Sequence, residues 1–239
     1  MARAAGERSD GEREVSSTVR RRPDLWSRVL SRVRPLGVVD IVYGDEPSVS
    51  MRSVLAKADG FAHIDPLITV EPSTLSLPIG CPTSFPKPVS AWCSTPAPVN
   101  AEGMWDRCVR WFRAAPGALL EPWAGAVVHS AETCRAMMDA VPGLRLLIDT
   151  GHVADWGEDP VELLADADHV QLRQGAPGRT QLHVDDPDGV VDFPAVIKAL
   201  NARAYAGQLS VEYFDLPEQG WPCAEPRAWA LDLVARLRS

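Results

Sequence analysis

The sequence predicts an α/β chain folded as a (β/α)8 barrel, trimmed on one side. A length of 239 residues suits one such barrel, which occupies about 200 to 250 residues. From Gly37 onward, short apolar runs recur with helical periodicity between most of them, the order expected of alternating β and α units. Several of these runs end on residues that can do chemistry, and in a barrel of this kind catalytic groups stand at the carboxyl ends of strands.

Residues 1–22, MARAAGERSDGEREVSSTVRRR, offer scarcely an apolar side chain to bury and are expected to be a disordered tail, leaving 23–239 as a single domain. PDLWSRVLSRV follows, with Trp26, Val29, Leu30 and Val33 at the spacing of one helical face. Eight candidate strands come next: GVVDIVYG (37–44), GFAHIDPLI (60–68), LSLPIG (75–80), PVSAWCS (88–94), ALLEPW (118–123), LRLLIDT (144–150), HVQLRQ (169–174) and QLSVEYF (208–214). Helical patterns cover SVSMRSVLAKA, AEGMWDRCVRWFRAA, SAETCRAMMDAV, DPVELLADA, FPAVIKALNARA and EPRAWALDLVARLRS. Two carry start signals: Ser130 with Glu132, and Asp159 as N-cap with Pro160 in the first helical position. The stretch from Ile68 to Pro88 is rich in Pro, Ser and Thr and leaves no room for full helices around LSLPIG. Strands two to four are therefore expected to form an irregular part of the barrel.

Composition narrows the function. Apolar residues make up 46% and charged residues 23%, and no apolar run approaches the roughly 18 to 20 residues that cross a bilayer. A formal charge of -8 gives no electrostatic reason to expect DNA or RNA, whose affinity for proteins rests largely on neutralised phosphates. All but three of the 24 basic residues are arginine, the exceptions being Lys57, Lys87 and Lys198. The five cysteines form no CxxC pair and are odd in number, which fits reduced, buried thiols. With no signal-peptide core and an acid-containing amino terminus, the expected location is cytoplasmic.

The strand ends converge on compatible chemistry. ALLEPW carries Glu121, LRLLIDTGH carries Asp149 and His152, HVQLRQ carries Gln171, and QLSVEYF carries Glu212. Glu121 and Glu212 stand in apolar surroundings, where a carboxylate is costly unless a cation or hydrogen bonds satisfy it. A divalent metal would hold both together with Asp149 and the Gln171 carbonyl oxygen. Oxygen ligation favours a hard ion, Mg²⁺ or Mn²⁺, over Zn²⁺. A single strand glutamate is more often a solvated edge residue or ion-pair partner; four candidates on four strand ends shift the balance. His152, just past the sixth strand, lies within reach of a ligand bound at the metal. His63, near the end of the second strand, is a further candidate for the mouth, and Trp123, two residues beyond Glu121, for the pocket wall. His169 shares a strand face with Gln171 and reads as a packed core histidine, while His129 and His183 read as loop residues.

These residues resemble the xylose isomerase-like TIM barrels, a broad group of sugar isomerases and epimerases. LLEPW looks like the glutamate strand of that group, IDTGH like its Asp-Thr-Gly-His strand and VEYF like its terminal glutamate strand. HVQLRQGAPGR, followed by DGVVDFPAVIKALNARAYAGQLSVEYF, is most similar to hydroxypyruvate isomerase-like proteins, with His-x-Gln in the seventh strand and Pro177-Gly178-Arg179 soon after. The resemblance runs from about Leu119 to Phe214 and is specific for the superfamily, much less so for the substrate.

The resemblance implies that Glu121, Asp149, Gln171 and Glu212 are metal ligands, that Glu121 and Glu212 also serve as the acid/base pair, and that His152 and Arg179 contact substrate oxygens. The implied reaction isomerises or epimerises a small keto-sugar or hydroxypyruvate-like compound through an enediolate that the metal stabilises. Relatives often associate as dimers or tetramers, so a homo-oligomer is expected by analogy. Asp185, Asp186 and Asp188 depart from the glycine-rich approach to the last helix that the resemblance implies, as a solvated turn or as acid at the mouth, and Trp92, Trp123, Trp156 and Trp221 crowd predicted loops. Three other functions compete: a lyase or dehydratase using the same enediolate, a non-catalytic binding or accessory protein on a decayed barrel, and a zinc phosphodiesterase cutting DNA at abasic sites. The last needs more histidines than the five present and is opposed by the negative charge.

Overall fold

The computed structural model describes residues 34–44, 46, 48–69, 78–80, 83–84, 92–94 and 102–239. The expected tail, the helix around Trp26 and most of the Pro-rich stretch lie outside the described residues, as do the side chains of Trp92 and of Cys81 and Cys93.

Twelve strands are described: β1 (Leu36–Val39), β2 (His63–Asp65), β3 (Leu67–Thr69), β4 (Pro78–Gly80), β5 (Thr83–Ser84), β6 (Trp92–Ser94), β7 (Leu119–Glu121), β8 (Arg145–Asp149), β9 (Ala167–Leu172), β10 (Gln174–Ala176), β11 (Arg179–Leu182) and β12 (Gln208–Val211). The helices are α1 (Val49–Ala58), α2 (Met104–Ala114), α3 (Ala131–Ala140), α4 (Thr150–Asp155), α5 (Phe193–Ala202) and α6 (Pro226–Arg238). The main sheet runs β3-β4-β6-β7-β8-β9-β12-β1-β2-β5, and every pairing from β6 round to β2 is parallel. β2 and β3 are separated by Pro66 alone, yet β2 pairs with β1 and β3 with β4. One continuous stretch, 63–69, thus links β2, next to one end of the order, to β3 at the other.

β4 is antiparallel to both neighbours. This is the irregularity expected of strands two to four, and its cause is chain length. Eight residues between β3 and β4 cannot carry a crossover helix, which needs a dozen or more, whereas they can carry a reversal.

Alternation divides the side chains. Leu120, Leu146, Ile148, Val170, Leu172, Leu209 and Val211 join the helices in the main core, while their strand neighbours Leu119 and Leu147 form a separate apolar contact inside the barrel. The same inner face carries His169 and Gln171 on β9, Ser210 on β12 with Glu212 just beyond it, and Asp149 closing β8. α3 opens with a reciprocal cap: Ser130 Oγ accepts from the Thr133 amide and Thr133 Oγ1 from the Ser130 amide.

Three elements differ from expectation. Residues 37–44 form a strand only to Val39, after which Asp40–Tyr43 turn as a 3-10 helix. Asp40 there is fully buried and meets Arg52 of α1 at 3.1 Å, an ion pair that an extended strand would not need. DPVELLADA is two 3-10 turns, Pro160–Glu162 and Leu164–Asp166; Asp159 does cap the first, accepting from the Val161 amide at 2.9 Å. Residues 174–182 form a β10–β11 hairpin folded back beside the barrel, with Gly178 at positive φ in its turn. No helix among the described residues is long and apolar enough to cross a membrane.

Candidate metal and substrate site

At the carboxyl ends of β7, β8, β9 and β12 four polar side chains meet. Glu121 is the last residue of β7, Asp149 the last of β8, Gln171 the penultimate of β9, and Glu212 follows β12; all are buried. The Gln171 amide bridges the two glutamates, one of its terminal atoms lying 3.2 Å from both Glu121 Oε1 and Glu212 Oε2. With Nε2 turned inward it donates to both, and with Oε1 turned inward three oxygens face one another, the arrangement a cation would satisfy.

Asp149 does two jobs. Its Oδ1 caps α4, accepting from the Gly151 amide at 2.7 Å and the His152 amide at 3.4 Å, and Oδ2 faces the cluster. That cap sets the start of α4 and presents His152, whose Nε2 lies 3.9 Å from Glu121 Oε1. Gly151 is required by close approach: a Cβ would overlap the Thr180 carbonyl oxygen and sit 2.8 Å from Arg173 Nε. Thr150 ties the ends of β8 and β9, its Oγ1 donating to the Arg173 carbonyl at 2.7 Å and accepting from the Arg173 amide at 2.9 Å.

Ligand atoms of Glu121, Asp149 and His152 lie within 4.8 Å of one another, a compact acidic group able to hold a metal ion. His152 Nδ1 is buried with no hydrogen-bond partner among the described residues, leaving imidazole nitrogen available. The residues therefore fit a divalent cation, with a mixed oxygen and nitrogen donor set where oxygen alone was expected.

Charge is distributed unevenly. Burial pushes the Glu212 carboxyl well above the usual carboxylate range, aided by Asp149 and Glu121 and only partly offset by Arg173. Burial would also raise Asp149, but the Arg173 guanidinium, aided by the Gly151 amide, outweighs it and holds that carboxyl low. His152 is driven down to about 3, chiefly by burial, and is a neutral imidazole.

Arg173 went unforeseen. It continues the inner face of β9 at i, i+2, i+4 from His169 through Gln171, and that period was the signal that could have found it. Its fully buried guanidinium pairs through Nη2 with Asp149 Oδ2 and lies 3.5 Å from Glu212 Oε2, stacked 4.4 Å over the Phe214 ring. Trp221 also joins the site. Its ring centroid lies 5.6 Å from Trp123, 5.7 Å from His152 and 5.3 Å from Phe214, so Trp123 and Trp221 wall the cluster. Gln181 of β11 holds that wall, Nε2 donating to the carbonyls of Phe214 at 2.7 Å and Trp221 at 3.0 Å.

Two expected contacts are not brought to the cluster. Arg179 is exposed at the hairpin turn, paired with Asp188 at 2.9 Å, because the β10–β11 reversal carries Pro177–Arg179 outward. His63 is the first residue of β2, so it stands toward the amino-terminal end of the barrel, away from the mouth. There Nε2 lies 2.9 Å from Ser210 Oγ, Ser210 Oγ donates to Asp65 Oδ2, and Asp65 Oδ2 meets His169 Nε2 at 2.9 Å, a buried polar layer beneath the carboxylates. The acidic run reads as a surface turn: the Asp188 amide donates to Asp186 Oδ1, and Asp185 faces Arg236 at 3.9 Å.

Comparison with known proteins agrees with this architecture. The sequence profile of the xylose isomerase-like TIM barrel family matches residues 104–239, more than half of the chain, and the chain belongs to that family. Among solved structures, a probable 3-DHS dehydratase, AsbF, involved in petrobactin synthesis in Bacillus anthracis, superposes with a TM-score of 0.51 at 13% identity, over 82% of this chain and 98% of that one. The IOLI protein with a bound zinc atom gives 0.43 at 14% identity over 91% and 81%. A 3-keto-D-glucoside 4-epimerase from E. coli gives 0.41 at 16% identity over 56% and 52%. At these identities the likeness is one of fold. Comparison with curated proteins gives no match.

Proposed function

We propose that this chain is a divalent-metal-dependent isomerase or epimerase acting on a small keto-sugar or hydroxypyruvate-like α-hydroxycarbonyl compound by proton transfer through an enediolate. The observation that carries this reading is the meeting of Glu121, Asp149, Gln171 and Glu212, from four adjacent strands, in one buried cluster with His152 beside it. Mg²⁺ or Mn²⁺ suits a set dominated by carboxylates. Such an ion supplies polarisation of the substrate carbonyl and charge stabilisation for the enediolate.

The side chains supply the rest. Glu121 and Glu212, each with an oxygen 3.2 Å from the same terminal atom of the Gln171 amide, act as the acid/base pair that takes a proton from a substrate carbon and returns it. Neutral His152 offers a hydrogen bond to a substrate oxygen, while Trp123 and Trp221 exclude water from the proton path. The buried free thiols Cys108, Cys134 and Cys223, pushed up to about 11, 12 and 11 by burial, are inert and accord with a reducing, cytoplasmic setting.

The test is a screen of short ketoses and 2-hydroxy-3-oxo acids with Mn²⁺ or Mg²⁺ in heavy water, followed by NMR. Deuterium should appear at the substrate α-carbon with an isomer or epimer as product, and removing the ion with chelator should abolish it. No incorporation from any compound would sink the proton-transfer reading, and a new unsaturated product would replace it with a lyase.

A further inference from the structure

Every carboxylate of the cluster is a candidate partner for a metal, yet a cation is already among them. Arg173 is fully buried, its Nη2 pairs with Asp149 Oδ2 and lies 3.5 Å from Glu212 Oε2, and its Cζ lies 4.4 Å over the Phe214 ring. Asp149 Oδ1 is committed to the α4 cap, so Oδ2 is the oxygen left for an ion, and it is the one Arg173 holds. Arg173 Nε and Nη1 have no acceptor among the described residues, so the guanidinium is anchored by its carboxylate contacts and one aromatic face rather than by a full set of hydrogen bonds.

From this geometry we infer that Arg173 is a tethered competitor of the metal ion: it occupies Asp149 Oδ2 when no ion is present and must swing away for one to bind. The inference rests on the metal reading above and assigns Arg173 a role in setting metal affinity. The physical reason is twofold. An ion and a guanidinium cannot both take the same carboxylate lone pair at short range. A fixed positive charge a few ångströms away also repels a divalent cation in a region where solvent screens it poorly. Phe214 and the narrow space left by Gly151 define the pose from which the side chain must leave.

The experiment titrates Mn²⁺ into metal-free protein, following free ion by electron paramagnetic resonance, for wild type, Arg173→Met and Arg173→Lys. Methionine keeps an unbranched apolar stem beside Phe214 without charge, while lysine keeps the charge and loses the fork. Removing the charge should tighten Mn²⁺ binding by about tenfold or more, and lysine should stay much nearer wild type. Unchanged or weaker binding in Arg173→Met overturns the inference while leaving the metal reading intact. Wild type silent at millimolar Mn²⁺ with Arg173→Met binding would support it in its strongest form. If neither protein binds, both readings fall. Should Arg173→Met fold poorly without metal, the Mn²⁺-induced rise in Tm decides: a larger rise than wild type supports competition, and an equal or smaller one ends it.

Discussion

Glu212→Gln should lower α-proton exchange by about a thousandfold on whichever compound the wild type exchanges, since a positioned proton carrier contributes roughly 10² to 10⁴. Glutamine is the stringent choice because it preserves shape and keeps an oxygen toward Gln171 and Arg173, whose contacts at 3.2 and 3.5 Å place the native carboxylate. Metal affinity should fall by a smaller factor, because Glu121, Asp149 and His152 form a compact group that still offers ligands when Glu212 loses its charge. Exchange and Mn²⁺ binding measured on the same preparation separate the two roles. Exchange within threefold of wild type would remove Glu212 from the proton path, whereas loss of binding in step with exchange would make it chiefly a ligand.

Gly37→Ala should destabilise the fold by about 3 kcal/mol or more in urea unfolding, a large effect for one methyl group. The imidazole of His63 on β2 crosses β1 to reach Ser210 on β12, and a Cβ at Gly37 would overlap that ring. Overpacking a core costs about 1 to 3 kcal/mol, and displacing His63 from its buried hydrogen bond adds a comparable penalty. The double variant Gly37→Ala/His63→Ala should recover a clear part of the loss, since the clash then has no ring to act on. A cost below about 1 kcal/mol for the single variant would mean that the ring yields easily, contrary to the packing described.

Much of this was legible beforehand because the signals were local. The eight strand regions, Asp149 and the two glutamates follow from apolar runs that end on carboxylates, and backbone position along a strand needs no knowledge of distant parts of the chain. What escaped notice depends on contacts across the barrel. GFAHIDPLI puts His63 near the end of its apolar run and so at the mouth, whereas β2 begins at that residue. Arg179 was matched by its place in a motif, but a hairpin whose pairing no local pattern announced carries it outward. Arg173 shares the period of Gln171, yet a buried arginine among presumed metal ligands runs against the expectation that arginine seeks solvent. Asp149 shows the opposite case: capping and site chemistry were alternatives on paper, and its two oxygens divide between them.

The aromatic wall has an optical consequence. Trp123 and Trp221 cross at 82° with centroids 5.6 Å apart, close enough for their ultraviolet transitions to mix and give a paired circular-dichroism signal of opposite signs. Because Trp221 also touches the His152 ring, whatever settles beside that imidazole perturbs the coupled pair. The protein thus carries its own chromophore at the mouth, one that Trp221→Phe would silence, and occupancy of the site can be followed by light before any product is known.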